Sequence, residues 1–310
     1  MKDKNKQPYE NLSYFALALD PIHVGTGGYR LGRVDMTIVR EPGTNLPKIP
    51  GTSLAGACRT YAAMQHPAKW PDCAGQGQSG KSHCGQPDCP ICVTFGFSKG
   101  EGGSFQGLAQ FSDARLVFFP VHSLAGPVWV TCPMALRDLG VQENEPDDGQ
   151  VRVASDVRHS GRLNLGWLML EVAGNGLSLD TNKVPDVPQE ILSRAVLVSN
   201  KMFGHIVNDN LEVRTSVSID PQTGAAAEGA LYTYEALPRA SVLVFEVVIS
   251  DPEFYKIDGQ EPLGNSGGRD EVKKTVESGL RLFEYLGIGG MGTRGMGRLR
   301  VLSLNAGGGQ

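Results

Sequence analysis

Four cysteines sit in one stretch, CAGQGQSGKSHCGQPDCPIC, at positions 73, 84, 89 and 92. A Cys-x-x-Cys turn presents two thiolates together, and a second pair nearby completes a tetrahedral sulfur site of the kind that holds Zn²⁺. The 73/84 spacing is loose, and His83 could replace Cys84. Four closed ligands leave no open position, so the expected role is structural rather than catalytic. The segment lacks apolar residues for a core of its own, and a metal would explain how it folds. The plainer alternative is a loop with exposed thiols. Cys58 and Cys132 lie in apolar surroundings and are expected in the core.

A second chemistry is written in residues 287–300, GIGGMGTRGMGRLR, where six of 14 residues are glycine and three are arginine. The run lacks the Gly-Lys-Ser/Thr of a nucleotide-binding P-loop. It contains G-x-G-x-x-G as Gly290, Gly292 and Gly295. A dinucleotide fingerprint follows a strand and opens a helix. Here the order is reversed, helix before and strand after, so that reading fails on context. What remains is a loop of open backbone N–H groups with Arg294, Arg298 and Arg300, able to cradle a phosphate backbone. The bland counterpart is a glycine-rich turn at a sheet edge.

A third set is His23, Asp35 and Arg40, the first two bracketing the glycine-rich loop HVGTGGYRLGRVD. A histidine after a strand is usually packed, and an aspartate before one is usually a cap. No second carboxylate stands close in sequence, so paired acid–base chemistry is not visible there.

These residues need elements to position them. SYFALALD (13–20) has the pattern of a strand, and TSLAGACRTYAAM carries apolar residues at helical spacing, with Thr52 or Ser53 as N-cap. Residues 66–106 resemble an insertion. Strands are expected over 108–122 and 127–136, while 137–188 is mixed and unassigned. A helix is expected over 188–203, an extended hairpin over 213–238 and a buried strand over 241–250. RDEVKKTVESGLRLFEYLG (269–287) is an amphipathic helix ending at Gly287, followed by the glycine loop and a last strand. Strands interleaved with few helices indicate an α+β domain with an antiparallel sheet.

The chain has 40 glycines among 310 residues and a formal charge of -4, which argues mildly against a purely electrostatic nucleic-acid binder, so any such contact must come from local basic patches. ENEPDD (143–148) concentrates acids in one place. No apolar run reaches the roughly 18 residues of a membrane span, and MKDKNKQPYENLS lacks the apolar segment of a signal peptide, so the expected location is cytoplasmic. Free thiols or metal ligands are expected before disulfides.

HVGTGGYRLGRVDMTIVRE, LPKIPGTSLAGACR and GIGGMGTRGMGRL together resemble the RAMP superfamily of CRISPR-associated proteins, with the nearest likeness to the repeated backbone subunit of type III-B (Cmr) effector complexes. SDARLVFFPVHSLAGPVWVTCPMAL, RTSVSIDPQTG and ALYTYEALP agree, so the likeness runs from about residue 14 to 303. The resemblance implies one RAMP domain over 1–310, with a ferredoxin-like, RRM-type palm sheet, insertions and a thumb hairpin (213–238), and the cysteine-bearing stretch 66–106 is then one of those insertions, expected to bind zinc. It implies guide-RNA contacts from Ser53 and Arg59 at the first helix and from Gly289, Gly290, Gly292, Arg294, Gly295, Gly297 and Arg298 in the loop. Family members often carry Lys where this chain has Ala55, which removes one phosphate contact. The implied activity is cleavage of target RNA with Mg²⁺ or Mn²⁺, once per subunit, through Asp35, with His23 auxiliary and Tyr232 and Glu235 as weaker candidates. Implied partners are guide RNA, target RNA, copies of the chain in a filament and other complex subunits of this antiviral defence system. Two alternatives stand beside it: a scaffold subunit that only binds RNA, and a guide-processing RAMP endoribonuclease.

Overall fold

The computed structural model describes residues 7–27, 34–75, 83–98, 103–226, 231–264 and 267–304. The first strand, β1 (Tyr9–Ala18), alternates between exposed and half-buried residues in its first half and is almost wholly buried in its second. Tyr14, Ala16 and Ala18 pack into the main core, while Phe15 enters a second one on the opposite face. A short β2 (Lys48–Ile49) leads into α1 (Gly51–Met64). After α2 (Pro90–Phe95), β3 (Phe97–Ser98) and β4 (Ser104–Phe105) form a small pair. The long apolar run continues as β5 (Ala109–Phe111), β6 (Ala114–Val121) and β7 (Val128–Thr131). Then come α3 (Pro133–Arg137), β8 (Gln150–Val153), β9 (Arg162–Leu165), β10 (Leu168–Val172), α4 (Gln189–Leu192), β11 (Ala195–Leu197) and α5 (Asn200–Asp209). A hairpin of β12 (Glu212–Ser216) and β13 (Tyr232–Ala236) precedes β14 (Val242–Ser250), α6 (Arg269–Arg281), α7 (Phe283–Leu286) and β15 (Leu299–Val301).

Among the described residues one large sheet runs in the order β15-β1-β14-β6-β7-β11-β8-β10-β9. β1 is central to the first half: nine residues pair antiparallel with β14, and Ala16 to Ala18 pair with β15. The last strand therefore lies beside the first. α1 and α6 cover one face through Leu54, Cys58, Val272, Val276 and Leu280. The other face is covered by the chain between α3 and α4, through Leu136, Val184 and Ile191. Burial on both faces explains why β14 is a near-continuous apolar run, interrupted at Glu246, rather than alternating.

Several expectations need correction. The sheet is mixed rather than antiparallel: β11 runs parallel to β7, and β10 parallel to β8. Residues 127–136 are a strand and then a helix, because Pro133 fits the first turn of α3. Residues 188–203 are α4, β11 and the start of α5 rather than one helix, since Ala195–Leu197 is fully buried between two strands. The unassigned 137–188 region extends the sheet with three strands. At α1 neither Thr52 nor Ser53 caps. The helix starts at Gly51, whose N–H donates to Asp113 Oδ1 at 2.8 Å, with Lys48 Nζ pairing that carboxylate. Two acids of ENEPDD serve α5, where Glu145 accepts from the backbone and side chain of Asn200 and Asp148 from Ser199 and Lys201, while Glu143 pairs with Arg152 of β8.

Candidate functional site

Asp35 is exposed at the end of the segment that returns to β13. Its Oδ2 accepts from Thr233 N–H at 2.7 Å and from the Thr233 hydroxyl at 2.9 Å. Its own N–H donates back to Thr233 Oγ1 at 3.1 Å. Those Thr233 bonds hold the carboxyl below the usual aspartate range. Its other oxygen receives no hydrogen bond from any described residue. The position is fixed by a parallel bridge between Met36 and Tyr234, with Met36 N–H donating to Thr233 O and Glu235 N–H to Met36 O. Residues 28–33 of the same loop lie outside the described residues.

His23 is 3% exposed. Nδ1 lies 2.6 Å from Glu235 O, an acceptor only, so this nitrogen carries the proton. Its ring meets Tyr234 edge-on at 6.0 Å. Its carbonyl accepts from Gly290 N–H at 2.8 Å, which pins the glycine loop. Gly289 has φ +83°, and a Cβ there would come within 2.5 Å of His23 O, so only glycine fits. The loop closes on itself where Ile288 N–H donates to Gly297 O, and Gly297 N–H donates to Pro21 O. A small apolar cluster of Tyr234, Ala236 and Met296 anchors it against β13. Arg294 Nη1 donates to the Tyr232 hydroxyl, and its guanidinium carbon Cζ lies 5.7 Å from the ring centroid. Consecutive residues of β13 thus hold the two functional segments: Tyr232 holds Arg294, and Thr233 holds Asp35.

Glu235 does not face that opening. It is buried and forked onto Arg40, with Nη1–Oε1 2.6 Å and Nη2–Oε2 2.9 Å, and Oε1 also accepts from Ile38 N–H. Both its oxygens are engaged within the fold, by Ile38 and Arg40. The proposed phosphate contacts of α1 are not brought to this site either. The Asp113 carboxylate already occupies the N-terminus of α1 near Ser53. Arg59 turns into the cysteine insertion, with Nε donating to Cys73 O at 2.7 Å and Nη1 to Gly96 O at 2.8 Å. α1 meets the glycine loop through Tyr61 instead, whose hydroxyl donates to Gly287 O at 2.7 Å. At the loop's exit Arg298 forks onto Asp20 at 2.6 and 3.0 Å. Gly292 and Gly295 are exposed at the tip. Thr233 was not singled out from sequence; it is one residue in TYE, and its role depends on a register that pairs positions 36 and 234.

The β12–β13 hairpin stands apart from the main sheet as its own two-stranded unit. It exposes Val213, Val217, Ile219 and Leu231. Solvated apolar side chains on a protruding ribbon suit insertion between stacked bases. Residues 227–230 of this hairpin are outside the described residues.

The four cysteines of the insertion converge. All four Sγ atoms lie within 4.8 Å of one another, and three recorded separations are 3.6, 3.7 and 4.0 Å. A ZnS₄ tetrahedron with Zn–S of about 2.3 Å has edges of about 3.8 Å, so the donor set fits the ion. None is in a disulfide. His83 is not part of the group: its Nε2 donates to Gly75 O at 2.5 Å. Burial pushes the Cys73 thiol up to about 11, whereas the hydrogen bond from Cys92 holds Cys89 down at about 5. Cys58 and Cys132 are fully buried, as expected.

No helix among the described residues is long and apolar enough to cross a membrane. A family model described as the RAMP superfamily matches residues 16–300. Over 303 residues the chain is 26% identical to the CRISPR system Cmr endoribonuclease Cmr4 of Pyrococcus furiosus, covering 91% of this chain and 92% of that protein. A stretch of 47 residues is 47% identical to the CRISPR system Cms endoribonuclease Csm3 of Mycobacterium tuberculosis, covering 15% of this chain and 20% of that one. The fold superposes on a chain of type III-B Cmr-beta bound to cognate target RNA with TM-score 0.67, 17% identity and coverage of 96% and 99%. It superposes on oligomeric Cmr4 from Pyrococcus furiosus with TM-score 0.59, 20% identity and coverage of 96% and 100%. With the strand order, the thumb-like hairpin and the glycine loop already in place, the match over residues 16–300 makes the chain a member of the RAMP superfamily.

Proposed function

We propose that this chain is a backbone subunit of a type III-B RNA-guided effector complex, binding guide RNA in a cytoplasmic filament and cleaving paired target RNA at Asp35. The observation that carries the reading is Asp35 itself: an exposed, ionised carboxylate with one oxygen fixed by Thr233, close to both the thumb hairpin and the glycine loop. The relative with which it aligns over nearly its whole length is named an endoribonuclease.

The chemistry follows from that placement. The 2′-oxygen of a splayed nucleotide forms a bond to the adjacent phosphorus, and the bond to the departing 5′-oxygen breaks. Asp35 orients the 2′-hydroxyl and is the acceptor within reach of its proton; the 5′-oxygen takes a proton from water. A divalent cation, when bound, would neutralise charge on the phosphate. Asp35 would be the side chain to hold it, and RNA oxygens would supply the further ligands, because among the described residues no group of three or more ligating carboxylates lies at this position. His23 acts by position, tying the glycine loop to β13. Gly289, Gly290 and Arg294 line the guide side.

The finer architecture belongs to the same proposal. The order β15-β1-β14-β6, with α1 after β1 and α6 before β15, supports a ferredoxin-like palm within a single domain over 1–310. The cysteine set supports a structural zinc in the 66–106 insertion. The test is an assembly loaded with a defined guide. A complementary RNA should be cut at regular intervals with Mg²⁺ or Mn²⁺ and left intact with chelator. Intact target under all conditions contradicts cleavage and leaves the scaffold reading. Chelator-resistant trimming of a guide precursor would favour the processing enzyme.

A further inference from the structure

β9 is the last strand of the large sheet, paired with β10 alone among the described residues. Its outer edge is therefore open. The phase of that edge follows from its neighbours. Val172 N–H donates to Gly161 O at 2.9 Å, so these two residues bond across the ladder. Antiparallel pairs alternate, so Leu163 and Leu165 also turn their backbones to β10, whereas Arg162 and Asn164 turn theirs outward. Glu171, the partner of Arg162, fits the same phase, because its N–H donates away from β9, to Gly149 O. The edge thus presents the N–H and C=O groups of Arg162 and Asn164.

A cleft of about 580 Å³ borders this strand, lined by Arg162, Leu163 and Asn164 together with Arg158, His159 and Leu124 among others. No carboxylate lines it. Arg158, His159 and Arg162 are all exposed. Glu171 approaches Arg162 at 3.6 Å, but both side chains remain about two-thirds exposed, so solvent screens that pair and the cleft stays basic. The surroundings are braced. Asn164 Oδ1 accepts from Leu124 N–H at 2.7 Å, and His122 O from Gly166 N–H at 3.0 Å. An edge held in this way binds with little ordering cost of its own.

We infer that this edge is a docking site for an acidic extended segment of a partner protein, which adds to the sheet as a further strand beside β9. Two features choose the occupant. Alternating N–H and C=O groups match a peptide backbone, which supplies a donor and an acceptor at every second residue. The basic cleft favours acids on that segment and repels a basic one. The same cations disfavour a second copy at this edge, since two β9 strands paired about a two-fold axis would bring their arginines together. Residues of the added strand opposite Arg162 and Asn164 share their face, so acids belong there. Apolar residues belong between them, continuing the buried face of Leu163 and Leu165.

The test uses the full natural chain and a fluorescein-labelled peptide of about seven residues in which glutamate alternates with valine. Its anisotropy should rise saturably with protein. Residue-resolved hydrogen exchange reports the pairing: the peptide should slow the amides of Arg162 and Asn164 about tenfold or more and leave Leu163, already bonded to β10, almost unchanged. Arg158→Ala with Arg162→Ala should weaken the peptide about fivefold. A peptide with lysine in place of glutamate should bind about tenfold more weakly than the acidic one. Absence of saturable binding, or binding that leaves the Arg162 and Asn164 amides unprotected, would overturn the inference. Protection of those amides without peptide as protein concentration rises would overturn it too, and give the edge to a second copy. Protection by a uridine strand instead of the peptide would give the cleft to nucleic acid. Should the double variant not fold, the two peptides decide on the natural chain: equal affinity for both refutes the acidic preference.

Discussion

Asp35 depends on a single threonine. Two bonds from Thr233 select the ionised carboxylate, so the deprotonated form that accepts a proton or a cation persists below the ordinary aspartate range. The acid limb of cleavage should therefore lie below that range. Thr233→Val removes the hydroxyl donor, lets the carboxyl titrate at higher pH and should move the limb upward. Thr233→Ser should restore it. A limb that does not move under Thr233→Val would show that Asp35 ionisation does not govern the rate. Glu235 predicts a different outcome. Removing it by Glu235→Ala leaves Arg40 without its fork in a buried setting, a loss on the order of 3 kcal/mol. Denaturant melting should record that loss, whereas the rate per folded subunit should fall far less than for an Asp35 variant.

At the scale of elements, the cysteine insertion is held to α1 by Arg59 and closed by its four thiols. Elemental analysis should find one zinc per chain, and Cys89→Ser should abolish it and lower the melting temperature. Arg59→Ala leaves two carbonyls without that donor and should cost on the order of 3 kcal/mol. Because Arg59 faces the insertion, its guide affinity at equal folded fraction should be unchanged, and a large drop in affinity would return it to the RNA groove. Much here was legible beforehand. Apolar spacing in TSLAGACRTYAAM marked α1, and Cys-x-x-Cys marked the four cysteines that converge. What was not legible came from long-range pairing. Ala195–Leu197 sits in a helix-like run, yet burial between β7 and β8 makes it a strand. The cap of α1 comes from Asp113, 62 residues from Gly51 in sequence, which no local pattern reveals.

For the whole molecule, the sheet is what brings the site together. β15 lies against β1, and that pairing sets the glycine loop on His23, more than 260 residues away in sequence. The order of helix, glycine loop and strand is the reverse of a dinucleotide-binding turn and is legible in the sequence itself. The contact with β13 that links Asp35, Arg294 and the thumb needed the register of the folded chain. Polar replacement of Ile219 and Leu231 on the thumb should leave guide binding intact and reduce unstacking of the target, read by 2-aminopurine fluorescence at the wedge position. The most direct measurement uses guide-loaded assemblies built from natural and Asp35→Ala chains, with target affinity and fragment pattern recorded side by side. The Asp35→Ala assembly should bind complementary RNA with unchanged affinity and yield no regularly spaced fragments. An undiminished fragment ladder from that assembly would place the chemistry at another residue.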